Sequence, residues 1–251
     1  MRVILCDDKA SLADGAADTG SRWIREAIAK KGKAVIVLST GLSQVDMLSR
    51  LVKADIPWDK VEVFHVDEYV GLPTTDTASF HSYLETYFVK RIPSLGEIHF
   101  IDGNAKDIES EIARLNALIA HKTVDVAFIG VGENGHIAFN DPPMAKIHTE
   151  ESFIQVTLAD RCRRQQVAEG WFSSMDAVPQ QAITMSVRQI LKAKHIIASV
   201  PDLRKAKAVA MCLFDEASPF APCAMLRWHN GCDLFIDRPS ATLVLGDRRP
   251  E

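Results

Sequence analysis

The sequence predicts a single α/β domain, a mainly parallel, doubly wound sheet with helices on both faces (Rossmann-like). Three observations predict it. Apolar runs of strand length, such as Ala34 to Leu38 and His195 to Val200, are continuous rather than alternating, as strands buried on both faces must be. Segments with apolar residues at helical spacing separate these runs, so strands and helices alternate. No repeat, low-complexity tract or linker breaks residues 1–251, which leaves one domain.

The elements follow in order. The first strand lies almost at the start of the chain. Residues 8–31 place Leu12, Ala16, Ile24, Ala27 and Ile28 on one helical face and end in Lys-Lys-Gly, a C-cap signal. Ala34 to Leu38 is a buried strand, broken by Ser39-Thr40-Gly41. A helix carries Met47, Leu48, Leu51 and Val52. Val61 to Val66 is the next strand, and a loop then leads to a helix near Ser79 to Lys90. Ile98 to Ile101 reads as strand and 106–120 as helix. Val124 to Ile129 is a strand running into a glycine-rich turn. Further on, 153–158 reads as strand, 160–172 as helix, 182–187 and 195–200 as strands, 202–213 as helix and 234–236 as the last strand.

Composition removes several functions. Hydrophobic residues are 47% and charged residues 25%, too apolar for a disordered chain. The net charge is −4, which argues against a nucleic-acid partner but allows a local basic pocket. No apolar run approaches the roughly 18–20 residues needed to span a bilayer, and no signal peptide is visible. The five cysteines, Cys6, Cys162, Cys212, Cys223 and Cys232, form no C-x-x-C pair. They read as reduced thiols of a cytoplasmic protein without a structural metal.

Ligands in such sheets bind outside the carboxyl ends of the strands, and four polar clusters follow strands directly. Ser39-Thr40-Gly41-Leu42-Ser43-Gln44 offers hydroxyls and free N–H groups at a helix start, a setting that suits phosphate or helix capping. His65-Val66-Asp67-Glu68-Tyr69 puts adjacent carboxylates at a strand end, where burial could tune one as a general base. Gly130-Val131-Gly132-Glu133-Asn134-Gly135-His136 has three glycines that let backbone approach a ligand, then an imidazole able to move protons near neutral pH. Asp141 lies five residues on and could orient it. Pro201-Asp202-Leu203-Arg204-Lys205 sets Lys205 in a first helical turn, where it wants an anion, and Arg161, Arg163 and Arg164 could reach the same anion. Together the clusters imply acid–base work on a phosphorylated small molecule.

Val66-Asp67-Glu68-Tyr69-Val70-Gly71-Leu72 and Gly130 to Pro142, ending Gly-His-Ile-Ala-Phe-Asn-Asp-Pro, resemble the two signature segments of the glucosamine-6-phosphate deaminase family. The related 6-phosphogluconolactonases share the fold but usually read Asp-Glu-Arg and Gly-His-Thr-Ala-Ser-Leu-Phe-Pro there. The resemblance covers about residues 30–240. It implies conversion of glucosamine 6-phosphate and water into fructose 6-phosphate and ammonium, with no metal or organic cofactor. It implies Asp67 as the base, His136 as the ring-opening residue, and Asn134 and Asp141 as its catalytic companions. Asn134 stands where many members carry Asp, which leaves Glu133 or Asp141 to supply charge to His136. The implied substrate-binding residues are Thr40, Gly41, Leu42, Ser43, Glu68, Gly132, Glu133, Gly135 and Lys205. The family's phosphate arginine has no counterpart at Glu169-Gly170-Trp171-Phe172, so Arg164, or Arg161 or Arg163, is expected to replace it. The expected partner is a small-molecule sugar phosphate, and the expected assembly is a monomer or small homo-oligomer. The alternatives are a sugar-phosphate lactone hydrolase and a non-catalytic sugar-phosphate sensor.

Overall fold

Continuous apolar runs form the centre of the sheet because both of their faces are covered. The computed structural model describes residues 1–246; the tail 247–251, expected to be loosely ordered, lies outside them. The elements are β1 Arg2–Cys6, α1 Lys9–Lys31, β2 Ala34–Leu38, α2 Val45–Leu51, β3 Val61–His65, β4 Asp67–Tyr69, α3 Phe80–Tyr87 and β5 Glu97–His99. They continue as α4 Ile108–Ile119, β6 Val126–Ile129, β7 Phe153–Thr157, α5 Asp160–Ala168, β8 Gln181–Met185, α6 Val187–Ile190, β9 His195–Val200, α7 Ala206–Phe214 and β10 Cys232–Asp237. Seven strands make one sheet in the order β1-β10-β9-β6-β2-β3-β5, and every pairing in it is parallel.

The strand alternation divides the core in two. Ile36 and Leu38 of β2, with Val63 and Phe128, face α1, α2 and α3. Val35 and Val37, with Phe64, Ala127 and Ile129, face α4 and α7. Each fully buried Leu, Ile or Phe contributes roughly 1.5–3 kcal/mol. The α1 packing is close enough that a Cβ on Gly20 would fall 2.2 Å from Phe128 Cε1. Asp8 caps α1 by accepting the Ser11 N–H, and Gly32 ends it at φ 80°.

A second sheet, β4-β8-β7, is antiparallel. Its Phe153, Ile183 and Met185 share the core of the α4 and α7 side, so the molecule is one domain. β4 was not visible as a strand, since three residues including two acids carry no period. Three helices are shorter than the spacing predicts, α3 ending at Tyr87 before a 3₁₀ turn at Val89–Arg91. α5 stops at Ala168, followed by Gly170 at φ 82°. The predicted helix from 202 opens as a 3₁₀ turn, Leu203–Lys205, before α7.

Candidate active site

The chain changes direction across the sheet between β2 and β6. From β2 it runs outward through β3 to β5, and from β6 the other way through β9 to β10. Crossovers on opposite sides leave a crevice at the carboxyl ends of these two strands, the ligand position of open α/β sheets. A cleft of about 800 Å³, its open mouth included, lies there, walled by the turns after β2, β3, β6 and β9 and by α5.

The turn after β2 lines one end with Ser39, Thr40, Gly41, Leu42 and Ser43. Gly41 sits at φ 101°, and its carbonyl accepts the Tyr83 hydroxyl at 2.9 Å. No side chain caps α2, which begins at Val45. The Ser39 hydroxyl is buried with no partner. The turns after β2 and β6 meet: a Cβ on Gly130 would stand 3.3 Å from Ser43 Oγ.

Asp67 sits where the chain passes from the main sheet to the small one. The preceding carbonyl, of Val66, accepts the Met185 N–H at 2.7 Å, and Asp67 opens β4 against Thr184. Its side chain lines the cleft, yet the residue is only 5% exposed, and Oδ1 has no hydrogen-bond partner. Burial first, then the Glu68 charge, pushes its pKa up to about 8. Adjacent strand residues point to opposite faces, so Glu68 points away. Its carboxylate accepts from Tyr69 N, Ser79 Oγ, Phe80 N and His81 N at 2.8–3.2 Å, closing the start of α3.

His136 lies flat against Gly132. A Cβ on Gly132 would fall 2.1–2.4 Å from three atoms of the ring, so only glycine leaves room for it. Nδ1 is 2.9 Å from Asp141 Oδ1, an ion pair when the ring is protonated. Asp141 also accepts from Asn134 Nδ2 at 3.1 Å and Ala159 N at 3.3 Å. Burial would raise its pKa; the His136 charge and these donors outweigh that and hold it below the ordinary aspartate value. Asp141 thus stays an anion beside the imidazole. Asn134 braces the backbone behind the ring, its side-chain oxygen accepting the His136 backbone N–H at 3.4 Å.

The turn after β9 supplies Lys205, 5% exposed and facing the cleft. Burial lowers its pKa, against the pull of Glu169 and Glu133. Asp202, at φ 88° and ψ 142°, holds a conformation that is essentially glycine's and costs of order 1–3 kcal/mol. Its N–H donates to both oxygens of Asp237 at 3.1 Å, and its carboxylate accepts the Arg204 N–H at 3.2 Å. These bonds fix the turn that carries Arg204 and Lys205.

Thr40, Gly41, Leu42, Ser43, Asp67, Gly132, His136 and Lys205 therefore share one cleft, with Asn134 and Asp141 directly behind His136. Four expected substrate-binding residues are elsewhere. Glu68 caps α3. Gly135, at φ 84°, packs on α7, where a Cβ would meet Met211 Sδ at 2.2 Å. Glu133 does not line the cleft, and its nearest cation is Arg204 at 3.6 Å. Arg164 is exposed. The inward face of α5 is Cys162 and Gln166, and a residue two positions from each lies about 200° round the helix. Arg163 is turned away too, donating to the Met175 and Val178 carbonyls, and Arg161 is exposed. The cleft adds Lys9, Phe80, Phe139, Gln165, Gln166, Glu169 and Arg204. Arg204 adjoins Lys205 and was open to the same reasoning. Nothing in the sequence distinguished Glu169.

A carboxyl group able to exchange a proton, an imidazole backed by a carboxylate, and an end lined by hydroxyls and a buried lysine define a class: an α/β protein with an acid–base site and an anion-suited end at its topological switch point. The chain belongs to the family of glucosamine-6-phosphate isomerases and 6-phosphogluconolactonases, which it matches over residues 7–235. It is 32% identical over 250 residues to glucosamine-6-phosphate deaminase 1 of Bacillus subtilis (strain 168), covering 97% of this chain and 99% of that one. It is 28% identical over 246 residues to the glucosamine-6-phosphate deaminase of Lactobacillus delbrueckii subsp. bulgaricus, covering 97% and 100%. A solved monomeric glucosamine-6-phosphate deaminase superposes with a TM-score of 0.88 at 30% identity, covering 97% of this chain and all of that one. A 6-phosphogluconolactonase from Shewanella baltica OS155, at 16% identity and a TM-score of 0.78 over 94% and 97% of the chains, shares the fold.

Proposed function

We propose that this chain is a glucosamine-6-phosphate deaminase, converting its substrate and water into fructose 6-phosphate and ammonium. The observation that carries the reading is Asp67: a cleft carboxyl group, buried, with an unpartnered oxygen and a pKa near the working pH. A base so placed can both take and return a proton. In the proposed sequence His136 moves a proton from the anomeric hydroxyl to the ring oxygen, opening the sugar, while Asp141 stabilises the imidazolium. Asp67 then takes the C2 proton, giving an enolamine. Return of that proton to C1 leaves an iminium carbon, which water hydrolyses to the ketone, releasing ammonium. Thr40, Gly41, Ser43 and Lys205 hold the phosphate, and Leu42 lines that end. Gly132 seats the histidine.

The partner in this reading is a small-molecule sugar phosphate. Among the described residues no helix is long and apolar enough to cross a membrane. All five cysteines are free, which suits a cytoplasmic protein. A monomer or small homo-oligomer fits the likeness to a monomeric deaminase. The test is ammonium release from a panel of hexosamine 6-phosphates, alongside acid release from 6-phosphogluconolactone. Ammonium and fructose 6-phosphate from the glucosamine compound are expected. Acid release without ammonium would replace the reading by a lactonase.

A further inference from the structure

Arg204 lines the cleft beside Lys205, and its guanidinium is ion-paired with three carboxylates without a hydrogen bond to any of them. Its Nη1 lies 3.6 Å from Glu133 Oε1 and 3.9 Å from Glu169 Oε1, and its Nε lies 3.8 Å from Asp202 Oδ2. Two other arginines close on carboxylate fully: Arg2 makes two bonds of 2.7 Å to Asp233, and Arg114 makes bonds of 2.6 and 2.7 Å to Glu111. The Arg204 guanidinium is balanced electrostatically, half-exposed, and held by no hydrogen bond from these three acids.

Glu169 is the unexpected member. Its side chain is 7% exposed, and it lines a cleft that must accept an anion. An acid there repels the ligand unless it has another task. It is held independently of the arginine, accepting from Gln165 Nε2 at 2.8 Å and Trp171 Nε1 at 3.3 Å. If Arg204 leaves, Glu169 keeps both donors. The Glu133 and Asp202 side chains, 33% and 48% exposed, keep water. Releasing the guanidinium therefore leaves Glu169 with its two hydrogen bonds and the charge of Lys205, which limits the usual cost of breaking a buried pair. A phosphate dianion offers the fork of Arg204 the paired, charge-assisted bonds that the three carboxylates do not make.

We propose that Arg204 is the arginine that grips the substrate's phosphate, and that Glu169 holds it ready in the empty cleft and sets the affinity by competing for it. This rests on the reading that the cleft takes a phosphorylated sugar. The phosphate arginine thus comes from the turn after β9 and not from α5, whose arginines face away. Glu169 acts through Arg204 and is a positioning residue.

The experiment measures the Kd of inorganic phosphate by calorimetry and the KM for glucosamine 6-phosphate in R204Q, E169Q and the double variant, with urea midpoints to check folding. R204Q should weaken phosphate binding and raise KM by about ten- to a hundredfold, the loss of charge-assisted bonds. E169Q should tighten phosphate and lower KM by about three- to tenfold, a partly screened charge effect, with kcat changed far less. On the R204Q background E169Q should do clearly less, because only the direct action of its charge on the anion and on Lys205 remains. If E169Q does not fold, E133Q decides, with a smaller shift in the same direction. E169Q that weakens phosphate or leaves it unchanged, an equal E169Q effect without Arg204, or an R204Q protein with unaltered phosphate affinity overturns the proposal. The phosphate arm does not need turnover. A protein that shows this pattern but releases no ammonium would refute the deaminase reading and leave the arginine assignment standing.

Discussion

Replacing Asp67 by Asn should make the protein less active and, near neutral pH, more stable. The cause lies in the site. The Asp67 carboxyl ionises with an ordinary pKa of 3.8 in the unfolded chain but only at about 8 in the fold, because burial and Glu68 oppose its charge. A raised carboxyl pKa means that stability is complete below 3.8 and is lost as pH climbs to about 8. The slope is about 1.4 kcal/mol per pH unit in that window. Between pH 4.5 and 7 the wild type therefore loses about 3 kcal/mol through this one group, a loss that a neutral Asn does not suffer. Asn brings a fixed, pH-independent penalty of about 1–3 kcal/mol, since its buried amide N–H groups lack an acceptor. The two effects predict a crossover. D67N is the less stable protein near pH 4.5 and the more stable by about 1–3 kcal/mol at pH 7. Urea denaturation of both proteins at pH 4.5, 5.5, 6.5 and 7 measures the difference directly, and the contributions of titrating groups that do not interact with Asp67 cancel. Activity should fall about 10²–10⁴-fold, the usual worth of a general base. The wild-type kcat/KM should rise with pH towards about 8, since only the ionised form takes the C2 proton. A stability difference that stays flat with pH would show that Asp67 is already ionised, and the argument for a tuned base would fall with it.

Two further outcomes follow from single contacts. Gly132→Ala puts a methyl within 2.1–2.4 Å of the His136 ring; at an ordinary backbone angle it should displace the imidazole, cutting kcat by about 10²-fold as loss of a proton-transfer group does, and a urea midpoint close to wild type separates this from misfolding. Lys205→Ala removes a buried ammonium at the hydroxyl-lined end and should raise KM about 10- to 150-fold with kcat little changed, the mark of lost uniform binding worth about 1.5–3 kcal/mol; an unchanged KM takes Lys205 out of phosphate binding.

How much of this was legible in the chain depends on the length scale of the signal. β2 and β9 were read to the residue, because a continuous run such as Ala34 to Leu38 tolerates no other burial. β4 was not, because Asp67-Glu68-Tyr69 becomes a strand only through β8. Within the site, Asp67, His136 and Lys205 stood out because chemistry-bearing groups directly after apolar strands have one cleft to face. Glu68 misled, since adjacency in sequence puts neighbours on opposite faces of a strand, and the open donors of α3 claimed it. Arg164 misled because charge on a helix says nothing of its angle: α5 turns Gln166 inward and Arg164 to water.

The amino-acid order by itself determined most of the strand and helix inventory, β4 excepted, the alternating architecture and the residue types gathered at strand ends, since each depends on local periodicity and on which side chains water rejects. Only the tertiary structure decided that Asp67 lies dry between two sheets, that Asp141 reaches His136, and that Arg204 stands among three acids. These are properties of distance and dielectric, set by groups far apart in the chain.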